Sequence, residues 1–204
     1  MEHRHRLVVL TVLLATLVVG TTAAGQKLKI DTEQAKDADF SAIKTYSWLP
    51  PAPIIQNVAP DVPSNPTLTQ EALGPPIVEA VDRQLARRGL IRVEQKDAAD
   101  VLIAYFAAMT VGVNSSYLGE HYGYITGWGS PIPAGLAPST SVSYHEQGTV
   151  VVDIVHRASN RAIWRGKVVT RVHQERTLKE RIERINEGAE RLFERFPIRA
   201  QNSR

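Results

Sequence analysis

The chain has 204 residues, of which 43% are hydrophobic and 22% are charged, a size and composition that suit one globular core and are short for two. It contains no cysteine, which excludes disulfides, zinc–thiolate sites, thiol nucleophiles and a lipid-bearing cysteine. The 24 basic and 21 acidic residues nearly balance, so the formal net charge of +3 says little about partners.

The amino-terminal segment has the pattern of a secretory signal peptide. Two arginines lie near the start, an apolar run, LVVLTVLLATLVV, follows, and small residues, GTTAAG, end the segment. We therefore expect a signal peptide over residues 1–24, cleaved after Ala24 or Gly25, and an exported protein of the periplasm or cell envelope. An uncleaved membrane anchor is the alternative, because the weakly apolar run 7–25 is just long enough to span a bilayer.

Two short strands are predicted at the start of the remaining chain. The first is KLKIDTE, and the second is IKTYSWL, residues 43–49, whose side chains alternate with the period of a strand. Six prolines then fall between Pro50 and Pro66. Because proline cannot donate a backbone hydrogen bond, we expect the Pro-rich segment 50–76 to begin as an extended surface connection without regular structure.

A helix is predicted from about Pro75 to Arg88. Pro75 and Pro76 suit the first turn of a helix, apolar residues follow at four-residue steps, and Gly89 supplies a left-handed cap. LIRVE and DVLIAYFAAMT follow as strands. The second of these is apolar on both faces, so we expect it in the middle of a sheet.

Residues 111–143 are predicted to form a glycine- and tyrosine-rich loop. The segment has six glycines and no lysine or arginine, and it lacks the periodicity of a core element. Long loops of this kind are usually functional or disordered. Aromatic side chains contribute binding area at low entropic cost, so the candidate partner-binding residues are Tyr117, Tyr122, Tyr124 and Trp128. A tolerated, disordered insertion is the alternative.

The stretch HEQGTVVVDIVHRASNRAIWRGKV, residues 145–168, holds two histidines, two carboxylates and a tryptophan, which is the inventory of a catalytic or metal centre. We interpret it instead as a scaffold hairpin. Period-two alternation places Ile154 opposite Trp164 on a buried face under the last helix. The same register places Asp153 opposite Arg165 as an exposed pair on the other face.

The turn of this hairpin is predicted as a three-residue loop, Ala158-Ser159-Asn160, with Asn160 in the left-handed conformation. Such a loop places Arg157 opposite Arg161. The charged residues of the stretch then form the outer face of a twisted hairpin.

A metal site in this stretch is not expected. On an extended strand, His145 and His156 would lie about 36 Å apart at roughly 3.3 Å per residue. The chain also lacks the G-x-S-x-G, H-E-x-x-H, phosphate-loop and dinucleotide-binding motifs. We therefore expect no catalytic, cofactor-binding or metal-binding residues, and we predict that the protein is not an enzyme.

The last element is predicted as an amphipathic helix that Pro197 ends. Thr177 and Glu180 have the spacing of a capping box at its start. The apolar stripe recurs at steps of three and four residues and consists of Leu178, Ile182, Ile185, Ala189, Leu192 and Phe196. A dimerising coiled coil is the alternative use of this stripe, although fewer than three heptads seldom suffice.

Four motifs occur in a characteristic order, with the glycine- and tyrosine-rich insertion between the second and the third: DADFSAIKTYSWLP, VDRQLARRGLIRVEQKDAADVLIAYFAAM, YHEQGTVVVDIVHRASNRAIWRG and KERIERINEGAERLFERFP. Together they resemble the bacterial envelope family called domain of unknown function 4136, over about residues 27–197. The resemblance implies an exported envelope protein, often a lipoprotein, with no established activity and no catalytic residues to carry over. The chain departs from many members by its longer Pro-rich insertion and by lacking the lipid-bearing cysteine, which favours a soluble periplasmic form.

The elements together predict an α+β fold, with an antiparallel sheet of about five to six strands and two helices packed on one face. We expect a single domain over residues 25–197 and a tail over 198–204. The predicted function is that of a non-enzymatic exported binding or structural module, with another envelope protein as its partner.

The alternative function is the binding of anionic lipid or lipopolysaccharide through the basic carboxy-terminal region. Residues 157–204 hold 13 basic and 6 acidic side chains, an excess that attracts anionic head groups. Nucleic acid is not an expected partner of an exported chain. The sequence does not predict an oligomeric state.

Overall fold

The computed structural model describes residues 28–56, 65–110, 123, 125–126, 147–173 and 175–198. Within these residues the chain forms one β-sheet with two α-helices, so the α+β class expected from the sequence is confirmed. Both helices pack on the same face of the sheet. In these ranges, no helix has the length and apolar character needed to cross a membrane.

Eight strands are found among the described residues. They are β1 (Lys29–Gln34), β2 (Thr45–Trp48), β3 (Ile55–Gln56), β4 (Ile91–Arg92), β5 (Val101–Thr110), β6 (Ile125–Thr126), β7 (Gln147–His156) and β8 (Arg161–Arg171). Six of them follow one another across the sheet in the order β1-β8-β7-β5-β2-β4, while β3 pairs with β5 and β6 pairs with β8. Strand β5 lies between β7 and β2, which confirms its predicted central place.

The sheet is mixed rather than purely antiparallel, which corrects the prediction. Strands β1, β8, β7 and β5 pair antiparallel, whereas β2 runs parallel to both β5 and β4. The reason is the connection after β2, which crosses one face of the sheet as helix α1 (Gln70–Ala86) before the chain returns in the same direction. Alternation along a strand shows which side chains face the core, but it does not show which way the neighbouring strand runs.

The β7–β8 hairpin has the register that the alternation predicts. Ile154 pairs with Trp164, and Asp153 pairs with Arg165. Ile154 and Trp164 both belong to the core cluster under the helices and are fully buried. The hairpin itself is therefore confirmed.

The turn of the hairpin differs from the prediction. His156 rather than Arg157 pairs with Arg161, so the loop has four residues rather than three. The pairing shifts by one residue within the hairpin, and Ile163 is the extra residue of this β-bulge. Asn160 has a φ of 48°, which is the predicted left-handed conformation.

Helix α1 begins five residues before the predicted start at Pro75. The reason is a cap further upstream, where the Thr69 side chain accepts a hydrogen bond from the backbone N–H of Ala72. Pro75 and Pro76 therefore lie inside the helix, and Pro75 is exposed, so its ring projects into solvent. Gly89, with a φ of 80°, terminates the helix as predicted.

Helix α2 (Leu178–Phe193) confirms the last predicted element, except that it ends four residues before Pro197, which therefore does not end it. The capping box is present: Thr177 Oγ1 accepts from the backbone N–H of Glu180 at 3.3 Å, and the Glu180 carboxylate accepts from the backbone N–H of Thr177 at 2.8 Å. The apolar stripe is buried towards its end, at Leu192, whereas Leu178 is 38% exposed. Because the buried part packs on the chain's own sheet and on α1, it is not available for the coiled coil considered from the sequence.

The Pro-rich segment contains regular structure, contrary to the prediction. Strand β3 pairs with the carboxy-terminal part of β5, and a 3₁₀ turn, Pro66–Leu68, comes just before α1. Asn65 caps this turn by accepting from the backbone N–H of Thr67 at 3.0 Å. Pro66 opens the turn at a position where its missing donor leaves no hydrogen bond unmade.

The core lies between the sheet and the helices, and Trp164 is its largest fully buried side chain. The Trp164 ring packs against Phe193 and Phe196, with centroid separations of 5.4 and 5.1 Å. Arg88 links the two helices next to this cluster, since its Nη2 donates to the Phe193 carbonyl at 2.6 Å. The predicted role of Trp164 as a core anchor under the last helix is confirmed.

The centre of the opposite face of the sheet is also buried, which corrects the prediction of an exposed ion pair. Asp153 is 0% exposed and Arg165 is 4% exposed. Arg165 donates from Nε and Nη2 to the two carboxylate oxygens of Asp153 at 2.7 and 2.6 Å. The surrounding side chains on this face are apolar: Ala104, Phe106, Ala108, Val151, Val155 and Ala162. Strand β7 is thus buried on both faces, and the charged pair lies in surroundings of low dielectric constant.

Candidate binding site

A cavity of about 130 Å³ lies between the two helices and the sheet. Its wall is mostly apolar and includes Ile77 and Val81 of α1, Val150 and Val168 of the hairpin, and Ile185 and Gly188 of α2. It lies at the end of the β7–β8 hairpin that is remote from the turn. A cavity of about 150 Å³ lined by aliphatic and aromatic side chains can hold benzene, so this one has room for a ring or a short alkyl segment.

Small side chains create this space. Ala80 of α1, Ala107 of β5 and Gly188 of α2 face the cavity from three sides. At the other end of the same face, the rings of Trp164 and Phe193 fill the gap between sheet and helix. Helix α2 therefore packs tightly at its carboxy-terminal end and leaves a cavity beside its middle turns.

Two buried polar atoms of the wall, Thr170 Oγ1 and His173 Nε2, have no hydrogen-bond partner among the described residues. The other ring nitrogen of His173, Nδ1, lies 3.0 Å from Glu175 Oε1. The backbone N–H of Glu175 itself, and then the His173 ring, hold the pKa of the Glu175 carboxyl below its usual range. Because an unpaired buried polar atom costs free energy, a ligand that hydrogen-bonds with Thr170 and His173 would recover that cost.

Four arginines belong to the described part of the wall and no carboxylate does; they are Arg171, Arg176, Arg181 and Arg184. Arg181 is buried and donates from Nε to Thr67 Oγ1 and from Nη2 to the His173 carbonyl, both at 2.9 Å. Arg171 is exposed, while His173 and Arg176 are partly exposed. We call these three residues the cavity mouth. The site is therefore apolar inside and cationic at its mouth.

A second cluster of polar side chains lies outside the cavity and joins α1 to the sheet. Tyr46 Oη and Trp48 Nε1 both donate to Asp82 Oδ1 at 2.8 Å, and Arg92 Nη1 donates to Asp82 Oδ2 at 2.9 Å. Burial, and then the Asp82 carboxylate, raise the pKa of the Tyr46 phenol far above its usual range, so the phenol stays protonated and remains a donor. The cluster fixes α1 over β2 and β4.

The candidate partner-binding residues predicted from the sequence, Tyr117, Tyr122, Tyr124 and Trp128, lie outside the described residues. The role of the loop 111–143 stays a prediction, as does the signal peptide over residues 1–24. His145 also lies outside the described ranges. In the part of the chain that the structure describes, no group of three His, Cys, Asp or Glu side chains is arranged to hold a metal ion.

Sequence reasoning did not find the cavity. A void between helices depends on how small side chains such as Ala107 and Gly188 meet in three dimensions, and periodicity does not reveal this. One signal was present, namely the excess of basic side chains in residues 157–204. Part of that excess, from Arg171 to Arg184, reaches the cavity wall.

Comparison with known proteins gives one family. The model of the family described as domain of unknown function (DUF4136) matches residues 30–198. No curated protein matches the chain.

Solved structures of similar fold come from several bacteria. A DUF4136 family protein from Bacteroides thetaiotaomicron is 15% identical with a TM-score of 0.51, and the similarity covers 84% of this chain and 96% of that chain. A PDZ domain protein from Parabacteroides distasonis is 15% identical with a TM-score of 0.50, over 86% of this chain and 37% of that chain. A PelC dodecamer from Paraburkholderia phytofirmans is 7% identical with a TM-score of 0.44, over 86% and 100% of the two chains. The likeness to the first two proteins shows the fold alone.

Proposed function

The chain belongs to the DUF4136 family, and we propose that it is a non-enzymatic exported protein of the cell envelope that acts as a binding module. The binding site in this proposal is the cavity between the helices and the sheet. The observation that carries the proposal is the apolar wall of that cavity together with its cationic mouth.

Small ligands bind in concave, mostly apolar sites that carry a few well-placed polar groups. The cavity of about 130 Å³ is smaller than the roughly 300–1,000 Å³ that a drug-sized ligand needs. Only the apolar end of a ligand would enter it, and the rest would lie at the mouth. The export part of the proposal rests on the signal-like pattern of residues 1–24, and the non-enzymatic part rests on the motifs that the sequence lacks.

The binding part is tested with N-phenyl-1-naphthylamine, a neutral dye whose fluorescence rises in apolar sites. We expect the mature protein to bind the dye, and we expect Val150→Phe and Ile185→Phe, which place larger side chains in the cavity wall, to lose most of that binding. Ile91→Phe is the matched control, because Ile91 is 63% exposed and lies outside the wall. Thermal melts show whether each variant is folded. Equal dye binding by all four proteins would contradict the proposal.

The export part is tested by expressing the full chain in a bacterial host and measuring the mass of the periplasmic product. A product that begins at Gly25 or Gln26 is expected. Uncleaved protein that stays with the cytoplasmic or membrane fraction would contradict export to the periplasm.

A further inference from the structure

We propose that the cavity holds the alkyl end of a single-chain anionic amphiphile, whose acidic group lies at the cavity mouth. The inference rests on the proposed function, since it uses the same cavity, and it adds the chemical class of the ligand. The shared chemistry is one alkyl chain and one acidic group, which a fatty acid or an alkyl phosphate would each supply.

The apolar wall determines the part of the ligand that is buried. Ile77 and Val81 of α1 face Val150 and Val168 of the sheet across the cavity, with Ile185 of α2 beside them. A cavity comparable to one that holds benzene accommodates about six carbon atoms. The buried part is therefore the end of an alkyl chain, and a polar or bulky double-chain end does not fit.

The charges of the wall determine the sign of the head group. The described wall contains four arginines and no carboxylate. Glu175 lies beside His173 and Glu187 pairs with Arg184, but the other three arginines leave an excess of positive charge at the mouth. Arg171 makes no ion pair with any residue in the described ranges, and it is exposed at the mouth. A carboxylate or phosphate at this point gains attraction that a neutral head group does not.

The polar atoms of the wall give the head group its hydrogen bonds. Thr170 Oγ1 and His173 Nε2 are buried without a partner among the described residues, although both lie in a wall that is otherwise apolar. The Thr170 hydroxyl can donate to an anionic oxygen, and so can the His173 ring whenever Nε2 carries the hydrogen. Both residues lie in the same segment as Arg171, which brings charge and hydrogen bonds to one place.

The head group is tested by titration calorimetry of the mature protein with octanoate, octyl phosphate and 1-octanol at low salt. We expect at least one of the two anions to bind about tenfold more tightly than octanol, from two or three partly exposed charge contacts. Tighter binding of octyl phosphate would indicate a phosphate head group, and tighter binding of octanoate a carboxylate. Equal affinities for all three compounds would overturn the proposal.

The buried length is tested with alkanoates of increasing chain length. Each methylene that enters the cavity should strengthen binding about fourfold. The gain should stop once about six carbons are buried, because the cavity is then full. An affinity that rises without a plateau would indicate adsorption to an open surface and would also overturn the proposal.

Charge variants locate the head group. We expect Arg171→Gln and Arg176→Gln each to weaken binding of the preferred anion about two- to fivefold, with octanol binding unchanged. Lys179→Gln is the matched control, because Lys179 is exposed and lies outside the wall. If Arg171→Gln and Arg176→Gln both bind the anion like the parent, the placement of the head group is wrong.

The two proposals fail in different ways. If the cavity-filling variants lose dye binding but octanoate and octanol bind the parent equally, the binding module is supported and the anionic ligand is contradicted. If the parent protein binds neither the dye nor the anions, both proposals are contradicted.

Discussion

Trp164 is the residue on which the packing between hairpin and helix depends most. Its ring is fully buried and contacts Phe193, the last residue of α2, and Phe196, which follows the helix. We expect Trp164→Ala to lower the free energy of unfolding by about 3–5 kcal/mol, through lost burial and a residual cavity. Urea unfolding of the protein measures this, and an unchanged transition midpoint would contradict the packing of Trp164 against α2.

Asp153 is expected to be as sensitive as Trp164, because its ion pair is buried. In Asp153→Ala, the Arg165 guanidinium loses its bidentate acceptor in apolar surroundings, which should cost about 3–5 kcal/mol. The double variant Asp153→Leu with Arg165→Met removes both charges and is expected to recover part of that loss. Urea unfolding distinguishes the two cases. A cost below about 1 kcal/mol for Asp153→Ala would contradict the burial of the ion pair and support the exposed pair predicted from alternation.

Burial of the second sheet face was visible in the sequence only in part. Val151 and Val155 flank Asp153 on the same face of β7, and their apolar character favours burial of that face. A charged pair between them favours exposure, because ionised side chains are rarely fully buried. The pairing of Asp153 with Arg165 was predicted correctly. Its burial was not, because alternation along one strand does not show that the neighbouring strands place apolar side chains around the pair.

Two glycines show how differently the elements are packed. An added Cβ at Gly166 of β8 would collide with the Trp164 ring and lie 2.7 Å from Leu192 Cδ1, so we expect Gly166→Ala to destabilise by about 1–3 kcal/mol. An added Cβ at Gly188 of α2 would lie 3.3 Å from Val168 Cγ1. Val168 borders the cavity and can shift into it.

We therefore expect Gly188→Ala to stabilise the protein by about 0.5–1 kcal/mol, from the higher helix propensity of alanine. Thermal and urea unfolding of both glycine variants measure the difference. Destabilisation by Gly188→Ala would mean that the Val168 side chain cannot shift into the cavity to make room for the added Cβ.

Local signals account for the elements that were predicted correctly. Thr177 with Glu180 marks the start of α2, and Gly89 marks the end of α1. The parallel pairing of β2 with β5, the bulge at Ile163 and the early start of α1 were not predicted. The first two depend on the partner strand, and the third depends on a cap that adjacent prolines obscure.

The candidate site likewise has one part that the sequence showed and one part that it did not. Its basic residues were apparent from composition, because the excess over residues 157–204 is large. Its cavity was not apparent, because it results from the spacing between two helices and a sheet that meet only in the folded chain.

Acid stability of the whole molecule should depend in part on Asp100, which joins β2 to β5. Its carboxylate accepts hydrogen bonds from the backbone N–H groups of Lys44 and Thr45, both at 2.9 Å. These hydrogen bonds, then that of the Thr45 hydroxyl and the charge of Arg157, hold the pKa of the Asp100 carboxyl below its usual range. Since the pKa is lower in the folded than in the unfolded state, Asp100 contributes stability above about pH 4 and loses it as pH falls through the folded-state pKa.

We expect Asp100→Asn to destabilise by about 1 kcal/mol at pH 7, a value kept small because solvent screens the exposed carboxylate. The difference from the parent should shrink as pH falls from about 7 through the folded-state pKa, and disappear where Asp100 is protonated in both the folded and the unfolded state. Urea unfolding across this pH range measures it, with Asp97→Asn as the control at an exposed neighbouring aspartate. A difference that stays constant with pH would contradict the role given to the charge.

The pairing of β1 with β8 has a consequence for the time course of folding. Residue 29 lies opposite residue 169, so the first described strand finds its only neighbour in the described sheet at nearly the opposite end of the chain. Pairing strands that are so distant in sequence is slow, because the chain loses the conformational entropy of the long intervening loop before the strand contacts compensate for it. During synthesis, β1 must wait until β8 has left the ribosome. Until then the segment that forms β1 has no partner among the described strands, and the sheet lacks this edge strand.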